Sequence, residues 1–385
     1  MTERTNAAPG LAPCADYTPE AVRDALTAAI DSAGGLDWVR PGMRVAVKLN
    51  LCTARRPEAA ATTHPACAAA LTRLLTERGA TVVLGDSPGG PFAGPLIRRL
   101  YDVTGLHACE DAGGSLNNNF DYTEVAYPAG RSLRRFAYCD WVRDCDAVIN
   151  FCKLKSHGMM GMTAAVKNLY GVIPGTYKSE YHYQHTDPMN FADMLIDLDE
   201  YVKPRLHLVD AIDIMEGNGP TQGTPRHLGL LLADTDPYRL DRLCAALLGI
   251  RESEIPYLEA AKRRGLLPGA PDPAVAALAA PYALTDFQRS GATASWFARS
   301  EDDRGLKKLA KGAMAVLLRS RPAAGPDCTG CGKCARDCPA HAIVIRGGRA
   351  RIDRRACIRC FCCQEFCPTG AMRVHRALAA RITGR

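Results

Sequence analysis

From Val22 to about Ile250, short apolar runs alternate with segments whose apolar positions recur every three or four residues. That alternation is the sequence form of a mostly parallel α/β sheet. The clearest predicted strands are RVAVKLN (44–50), TVVLGD (81–86), DAVINFCKLK (146–155), RLHLVDAI (205–212) and HLGLLLAD (227–234), and residues 65–78 and 191–202 read as helices between them. Residues 268–283 are rich in Pro and Ala and read as a connecting segment; a basic helix-like stretch follows at 304–320, and RPAAGPD (321–327) reads as a linker. The expected organisation is therefore a helical lead-in at 1–40, a doubly wound α/β domain at 41–283 that binds a substrate or partner, a connecting helix and linker at 284–327, and a small α+β ferredoxin-like domain at 328–385.

Composition adds to this in three ways. At 47% hydrophobic and 23% charged residues, with no run near the ~18 apolar residues of a membrane span, the chain reads as globular and not membrane-embedded. The N-terminus has no basic start followed by an apolar stretch, so no secretory signal is expected, and a cytoplasmic location is. In that compartment clustered thiols serve as metal ligands more often than as disulfides. Of the 17 cysteines, nine lie between Cys328 and Cys367; the other eight, Cys14, Cys52, Cys67, Cys109, Cys139, Cys145, Cys152 and Cys244, are expected to be small core residues.

The clustered cysteines carry the strongest signal. Cys328, Cys331, Cys334 and Cys338 follow C-x2-C-x2-C-x3-C-P, and 29 residues later Cys357, Cys360, Cys363 and Cys367 repeat it. This is the spacing of a bacterial-type ferredoxin with two [4Fe–4S] clusters; a zinc module gives no reason for the x3-C-P endings. In such a run the fourth cysteine crosses to the other cube. The ligand sets are therefore Cys328, Cys331, Cys334 and Cys367 for one cluster, and Cys357, Cys360, Cys363 and Cys338 for the other. Between them AIVIRGGRARID (342–353) reads as a hairpin around Gly347-Gly348. Cys362 is surplus, either a buried small residue near a cluster or a thiol with a redox or substrate role.

From Arg304 onward there are 18 Lys and Arg against 4 Asp and Glu, and before it 30 against 37. Cluster charge offsets part of that surplus, and the rest suits an acidic electron donor as well as it suits DNA.

Polar residues gather at strand ends, where ligands bind in open α/β sheets. Lys48 and Asn50 end the first predicted strand, Asp86 and Ser87 the second, and Lys153, Lys155, Ser156 and His157 the third. Lys153 and Lys155 alternate onto one strand face, and Lys167 and Asn168 follow shortly after. Such a set neutralises a carboxylate or phosphate, with His157 as proton donor. Lys153, Lys155 and Lys48 are the candidates to hold an anion, and Asn50, Lys167, Asn168 and Asn218 to bind and orient it. His182 and His185 in YHYQH read as a polar loop ahead of a metal site. No G-x-G-x-x-G turn follows a strand, no P-loop occurs, and neither a flavin motif nor the radical S-adenosylmethionine spacing C-x3-C-x2-C is evident.

VAVKLNLC, KLKSHGMMGMTAAVKNLYGVIPG, MEGNGPTQGTP and CIRCFCCQEFCPTGAM together resemble the domain-of-unknown-function 362 family, in the branch fused to a ferredoxin-like domain. The resemblance covers most of residues 40–250 and 328–372. It implies the architecture and iron–sulfur cofactors, names no substrate, and implies that the pair Cys362-Cys363 belongs to a recurring pattern. The expected function is an iron–sulfur oxidoreductase. It takes electrons from a ferredoxin, flavodoxin or reductase and passes them to a small anionic or conjugated substrate in the α/β domain. The alternative is a non-enzymatic electron carrier or assembly factor docking a protein partner. A redox-sensing nucleic-acid binder rests on the basic tail alone and is not favoured; no membrane partner is expected.

Overall fold

The computed structural model describes residues 8–290 and 320–375; apart from Ser320, the helix-like stretch expected at 304–320 lies outside them. Ten strands belong to the first segment: β1 (Gly10–Pro13), β2 (Arg44–Lys48), β3 (Thr81–Gly85), β4 (Ser115–Leu116), β5 (Tyr122–Ala126), β6 (Arg135–Cys139), β7 (Ala147–His157), β8 (Gly161–Thr163), β9 (Leu206–Glu216) and β10 (Thr224–Asp234). Eight form one sheet in the order β1-β10-β9-β7-β2-β3-β4, with β8 folding back onto β7, while β5 and β6 pair separately. From β4 to β9 every pairing along this path is parallel; β10 and β1 close the edge antiparallel.

The central strands are buried along their length because helices cover both faces, which is why they read as near-continuous apolar runs. Side chains alternate between two cores: Val45, Val47, Ile149 and Phe151 pack beneath the helices Pro19–Ser32, Pro65–Thr76 and Gly94–Thr104. Ala46, Val148, Cys152 and Leu154 pack beneath Pro188–Val202, Pro237–Leu247 and Pro256–Arg263. Several helix starts are fixed locally. Asp187 accepts from the Met189 and Asn190 amides with Pro188 at the first helical position, and His64 Nδ1 accepts from the Ala66 amide ahead of Pro65–Thr76.

The structure revises three expectations. The lead-in contains β1, which pairs with β10 as part of the main sheet. The connecting segment at 268–283 holds the helix Pro273–Ala279, capped by Asp272 and packed into the core through Val275 and Ala279. The linker expected at 321–327 contains β11 (Arg321–Ala324), which pairs with β14 (Met372–His375).

The C-terminal region also holds β12 (Ile343–Arg346) and β13 (Arg349–Ile352), the hairpin expected around Gly347-Gly348. Its backbone repeats at the same 29-residue offset as its cysteines. Gly330 (φ +65°) and Gly332 (φ +78°) correspond to Arg359 (φ +59°) and Phe361 (φ +62°). The helix Lys333–Arg336 likewise corresponds to Cys362–Glu365. A bulky aromatic residue at positive φ is strained, so the local backbone is dictated by the cysteine run and not by the residue placed there.

Candidate functional site

The carboxyl ends of β2, β3 and β7 converge on a cavity of about 70 Å³ between the sheet and the C-terminal region. A water takes about 10–15 Å³ on this measure, so there is room for about five or six water-sized groups. Five expected site residues line it: Asn50, Lys155, His157, Lys167 and Asn168. Asp86, Ser87, Thr163, Tyr170, Lys178, His182, Cys52, Glu365 and Phe366 join them.

Beneath the cavity lies a buried polar network. Lys48 Nζ pairs with Asp86 Oδ1 at 2.9 Å and donates to Leu49 O at 2.7 Å and Asn168 Oδ1 at 3.1 Å. Asn50 Nδ2 donates to the same Asn168 oxygen at 2.7 Å, and Lys155 Nζ donates to Asn50 Oδ1 at 2.6 Å, Ala61 O at 2.6 Å and Cys52 Sγ at 3.1 Å. The three N–H groups of each ammonium are thus spent inside the protein. Lys48 and Lys155 lend positive charge to the cavity from fixed positions, without a free donor. Gly171 is required here, because a Cβ would lie 1.9 Å from Asp86 Oδ1 and 2.5 Å from Lys48 Nζ.

The free donors are elsewhere. Lys167 Nζ sits over the Tyr170 ring, 4.8 Å from its centroid, and finds no hydrogen-bond acceptor among the described residues. Lys178 donates to Ser87 O. Burial lowers its pKa to about 8, with Lys48 and Lys167 adding to that effect and Asp86 opposing it. Ser87 Oγ, Thr163 Oγ1 and His182 Nδ1 are buried on the cavity wall without a partner among the described residues. Since buried polar groups are normally paired, three such atoms on one wall mark a place for a polar guest. Burial holds His182 neutral, lowering its pKa to about 3, and its ring stacks on Phe191 with centroids 4.5 Å apart.

His157 departs from its expected role. Its Nδ1 accepts from the amides of Met159 at 3.1 Å and Met160 at 3.3 Å, and burial drives its pKa well down. The ring is therefore neutral with its proton on Nε2, which lies 3.5 Å from Glu365 Oε1. It is suited to donate a hydrogen bond, whereas giving up that proton would leave an imidazolate. Lys153 does not reach the cavity: it pairs with Asp210 at 2.9 Å and donates to Tyr17 Oη at 3.0 Å. A register irregularity between Lys153 and Lys155 against β9 accompanies these separate partners for two lysines placed two residues apart. Asn218 accepts from Gln364 Nε2 through Oδ1 at 2.7 Å, so it joins the sheet domain to the C-terminal region instead of lining the cavity. YHYQH is no loop: His182 lies in the helix Gly175–Gln184, and His185 after it turns toward Ser132.

The expected thiol sets come together. One cavity of about 20 Å³ is lined by Cys328, Cys331, Cys334 and Cys367, and a second of about 20 Å³ by Cys338, Cys357, Cys360 and Cys363. Among the described residues no group of three or more His, Cys, Asp or Glu closes tightly enough for a single metal ion. All-sulfur rings around a void fit cubes better than they fit zinc. The amides of Ala350 and Ala342 point at Cys328 Sγ and Cys338 Sγ, 3.5 and 3.3 Å away. Cys362 lines neither void. It is 1% exposed on the helix Cys362–Glu365, whose next residues carry the cavity wall.

That helix docks on the sheet domain. Gln222 Nε2 donates to Gln364 O at 2.7 Å, Thr221 Oγ1 lies 3.5 Å from Glu365 O, and a Cβ on Gly89 would lie 2.0 Å from the Phe366 ring. In the first repeat the corresponding residues are Lys333, Arg336 and Asp337; in the second they are Cys362, Glu365 and Phe366. The sequence reading missed Glu365, although it is one of only four acids after Arg304. It also missed Lys178, and it expected Cys52 to be a core residue, where the structure places it on the cavity wall.

Residues 45–246 match the family model described as Domain of unknown function (DUF362). The chain belongs to that family. Residues 324–368 of this DUF362 protein match the model of a 4Fe-4S dicluster domain, so iron–sulfur electron transfer is its general chemistry. A relative, the thylakoid-associated protein sll1697 of Synechocystis sp. (strain ATCC 27184 / PCC 6803 / Kazusa), is 33% identical over 261 residues, which cover 66% of this chain and 78% of the relative. Among solved structures, the lactate racemase apoprotein from Thermoanaerobacterium thermosaccharolyticum superposes on 62% of this chain with a TM-score of 0.38 and 12% identity. A Thermotoga maritima protein does so over 55%, with a TM-score of 0.35 and 16% identity. The chain spans 56% and 54% of those two structures. No helix among the described residues is long and apolar enough to cross a membrane.

Proposed function

We propose that this DUF362 protein is an iron–sulfur oxidoreductase, with two [4Fe–4S] clusters in the two thiol rings and a small anionic or conjugated substrate in the 70 Å³ cavity. The observation that carries the reading is one short segment with two duties. Cys363 and Cys367 belong to the thiol rings, and between them Glu365 and Phe366 wall the cavity. When bound, such clusters supply electrons singly and at low potential. Lys167 and Lys178 offer the free ammonium donors for an anion, while Lys48 and Lys155 add fixed positive charge beneath it. Ser87 Oγ, Thr163 Oγ1 and His182 Nδ1 orient the guest, and His157 donates from Nε2. Lys178, with its pKa lowered to about 8, is the proton donor suited to neutral pH. The scattered and clustered free thiols suit a reducing, cytoplasmic setting.

The test is electron paramagnetic resonance of the reduced, anaerobically purified protein with and without small carboxylates and other oxyanions, alongside K167A. We expect about eight irons per chain in both proteins. At least one anion should perturb the wild-type spectrum, and K167A should lose that perturbation while keeping its iron. Spectra indifferent to every anion would remove the cavity from the function.

A further inference from the structure

The geometry points to the hairpin β12–β13 as the landing face for an acidic protein electron carrier. At its centre Val344 is 48% exposed, unusual for a large apolar side chain on a strand. Ile345, 36% exposed, alternates to the opposite face and lines the thiol ring of Cys328, Cys331, Cys334 and Cys367, where Cys331 is itself exposed, so the thickness of the hairpin is what separates its outer face from that ring.

Charge surrounds this apolar centre. Arg351 stands directly across from Val344, and Arg346 directly across from Arg349. Like charges facing each other weaken a hairpin, so fold stability gives no account of the pair. The C-terminal region has little of its own to neutralise them with. The four acids after Arg304 are Asp327, Asp337, Asp353 and Glu365. Asp327 pairs with Arg373 at 2.7 Å and Asp337 with Arg336 at 3.5 Å. Asp353 accepts from the Arg355 amide at 2.8 Å, and Glu365 faces His157. Arg346 and Arg351 thus meet no acid among the described residues. An apolar centre inside a cationic rim that no acid among the described residues neutralises is the complement of an acidic carrier, and steering by such a rim accelerates encounter by about 10- to 1,000-fold at low salt. Nucleic acid would gain nothing from the apolar centre or from the neighbouring thiols.

The proposal rests on the thiol rings holding clusters, but not on the substrate cavity. Its test compares reduction of the holoprotein by reduced flavodoxin, an acidic carrier, with photoreduction through a neutral deazaflavin, in wild type, R346E/R351E and R346K/R351K. We expect flavodoxin to reduce wild type and R346K/R351K quickly, slowing by about tenfold or more as salt rises to the physiological range. R346E/R351E should be about tenfold or more slower at low salt and nearly indifferent to salt, with deazaflavin rates equal in all three. Equal flavodoxin rates in wild type and R346E/R351E would overturn the assignment. So would a basic carrier working as fast as flavodoxin, or double-stranded DNA displacing flavodoxin from the hairpin. Clusters reduced by deazaflavin but not by flavodoxin would remove the landing face alone; clusters that flavodoxin reduces but no small anion perturbs would remove the cavity reading alone.

Discussion

Lys178 is held in a place that does not suit a cation, and this yields a measurable stability. Its pKa falls from 10.5 to about 8, chiefly through burial, which corresponds to a penalty of about 3 kcal/mol on the charged form. The sign follows from proton counts. Between pH 8 and 10.5 the unfolded chain binds this proton and the folded chain does not, so stability rises with pH across that window. Below pH 8 the full penalty applies. K178M removes the buried charge and forfeits the hydrogen bond to Ser87 O, which is worth about 1 kcal/mol. The variant should therefore be more stable than wild type by about 2 kcal/mol at neutral pH, and the gap should close and then reverse sign before pH reaches 10.5, where only the lost hydrogen bond of about 1 kcal/mol remains. Urea unfolding of both holoproteins, followed by tryptophan fluorescence at several pH values, reads the difference directly, because other titrating groups cancel between them. A variant less stable than wild type at neutral pH, or a gap that does not change with pH, would refute the reasoning. The same lysine gives the proposed anion site its pH limit: affinity should fall as pH rises through about 8, when the ammonium loses its proton.

Asp241 accepts from the amides of Ala165 and Val166, at the start of the short helix bearing Lys167 and Asn168, and burial raises its pKa to about 7. Because the folded chain keeps this proton more readily, stability falls as pH rises from 3.8 toward 7. D241N should remove about 3 kcal/mol of that fall between about pH 5 and about pH 7.5, as read by urea midpoints; an unchanged slope would count against it. G171A should separate Lys48 from Asp86 and cost about 3–5 kcal/mol, visible as a lowered unfolding midpoint, whereas near-wild-type stability would show that the ion pair relocates freely. C362S should keep about eight irons per chain, and C360S should lose part of that iron. Equal losses in the two would make Cys362 a ligand.

Much of the sheet was legible because β2, β3, β7 and β9 are buried on both faces and carry short apolar runs such as VAV and AVI, broken chiefly by the polar residues of the buried networks. β1 was not, since GLAP carries no strand propensity and becomes extended through its pairing with β10. At the cavity, strand-end position found Lys155, His157 and Asn50, because the fold places those ends together. Position alone did not say which neighbour each would meet: Lys153 is claimed by Asp210 and Asn218 by Gln364. Lys178 and His182 were hidden in GTYKSEYHYQ, a helix without a continuous apolar face. Glu365 was hidden by the cysteines around it. The grouping of the eight thiols into two rings was legible, since it follows the repeated C-x2-C-x2-C-x3-C-P spacing and not the packing.

Glu365 and Phe366 occupy two of the three positions between Cys363 and Cys367, so the cavity wall and the thiol rings share one stretch of sequence. Neither half of this fused chain is a portable part. The sheet domain alone would leave the cavity open on the side that Glu365 and Phe366 close. A change that loosens the loop from Cys363 to Cys367 therefore disturbs the cavity wall and the thiol rings together.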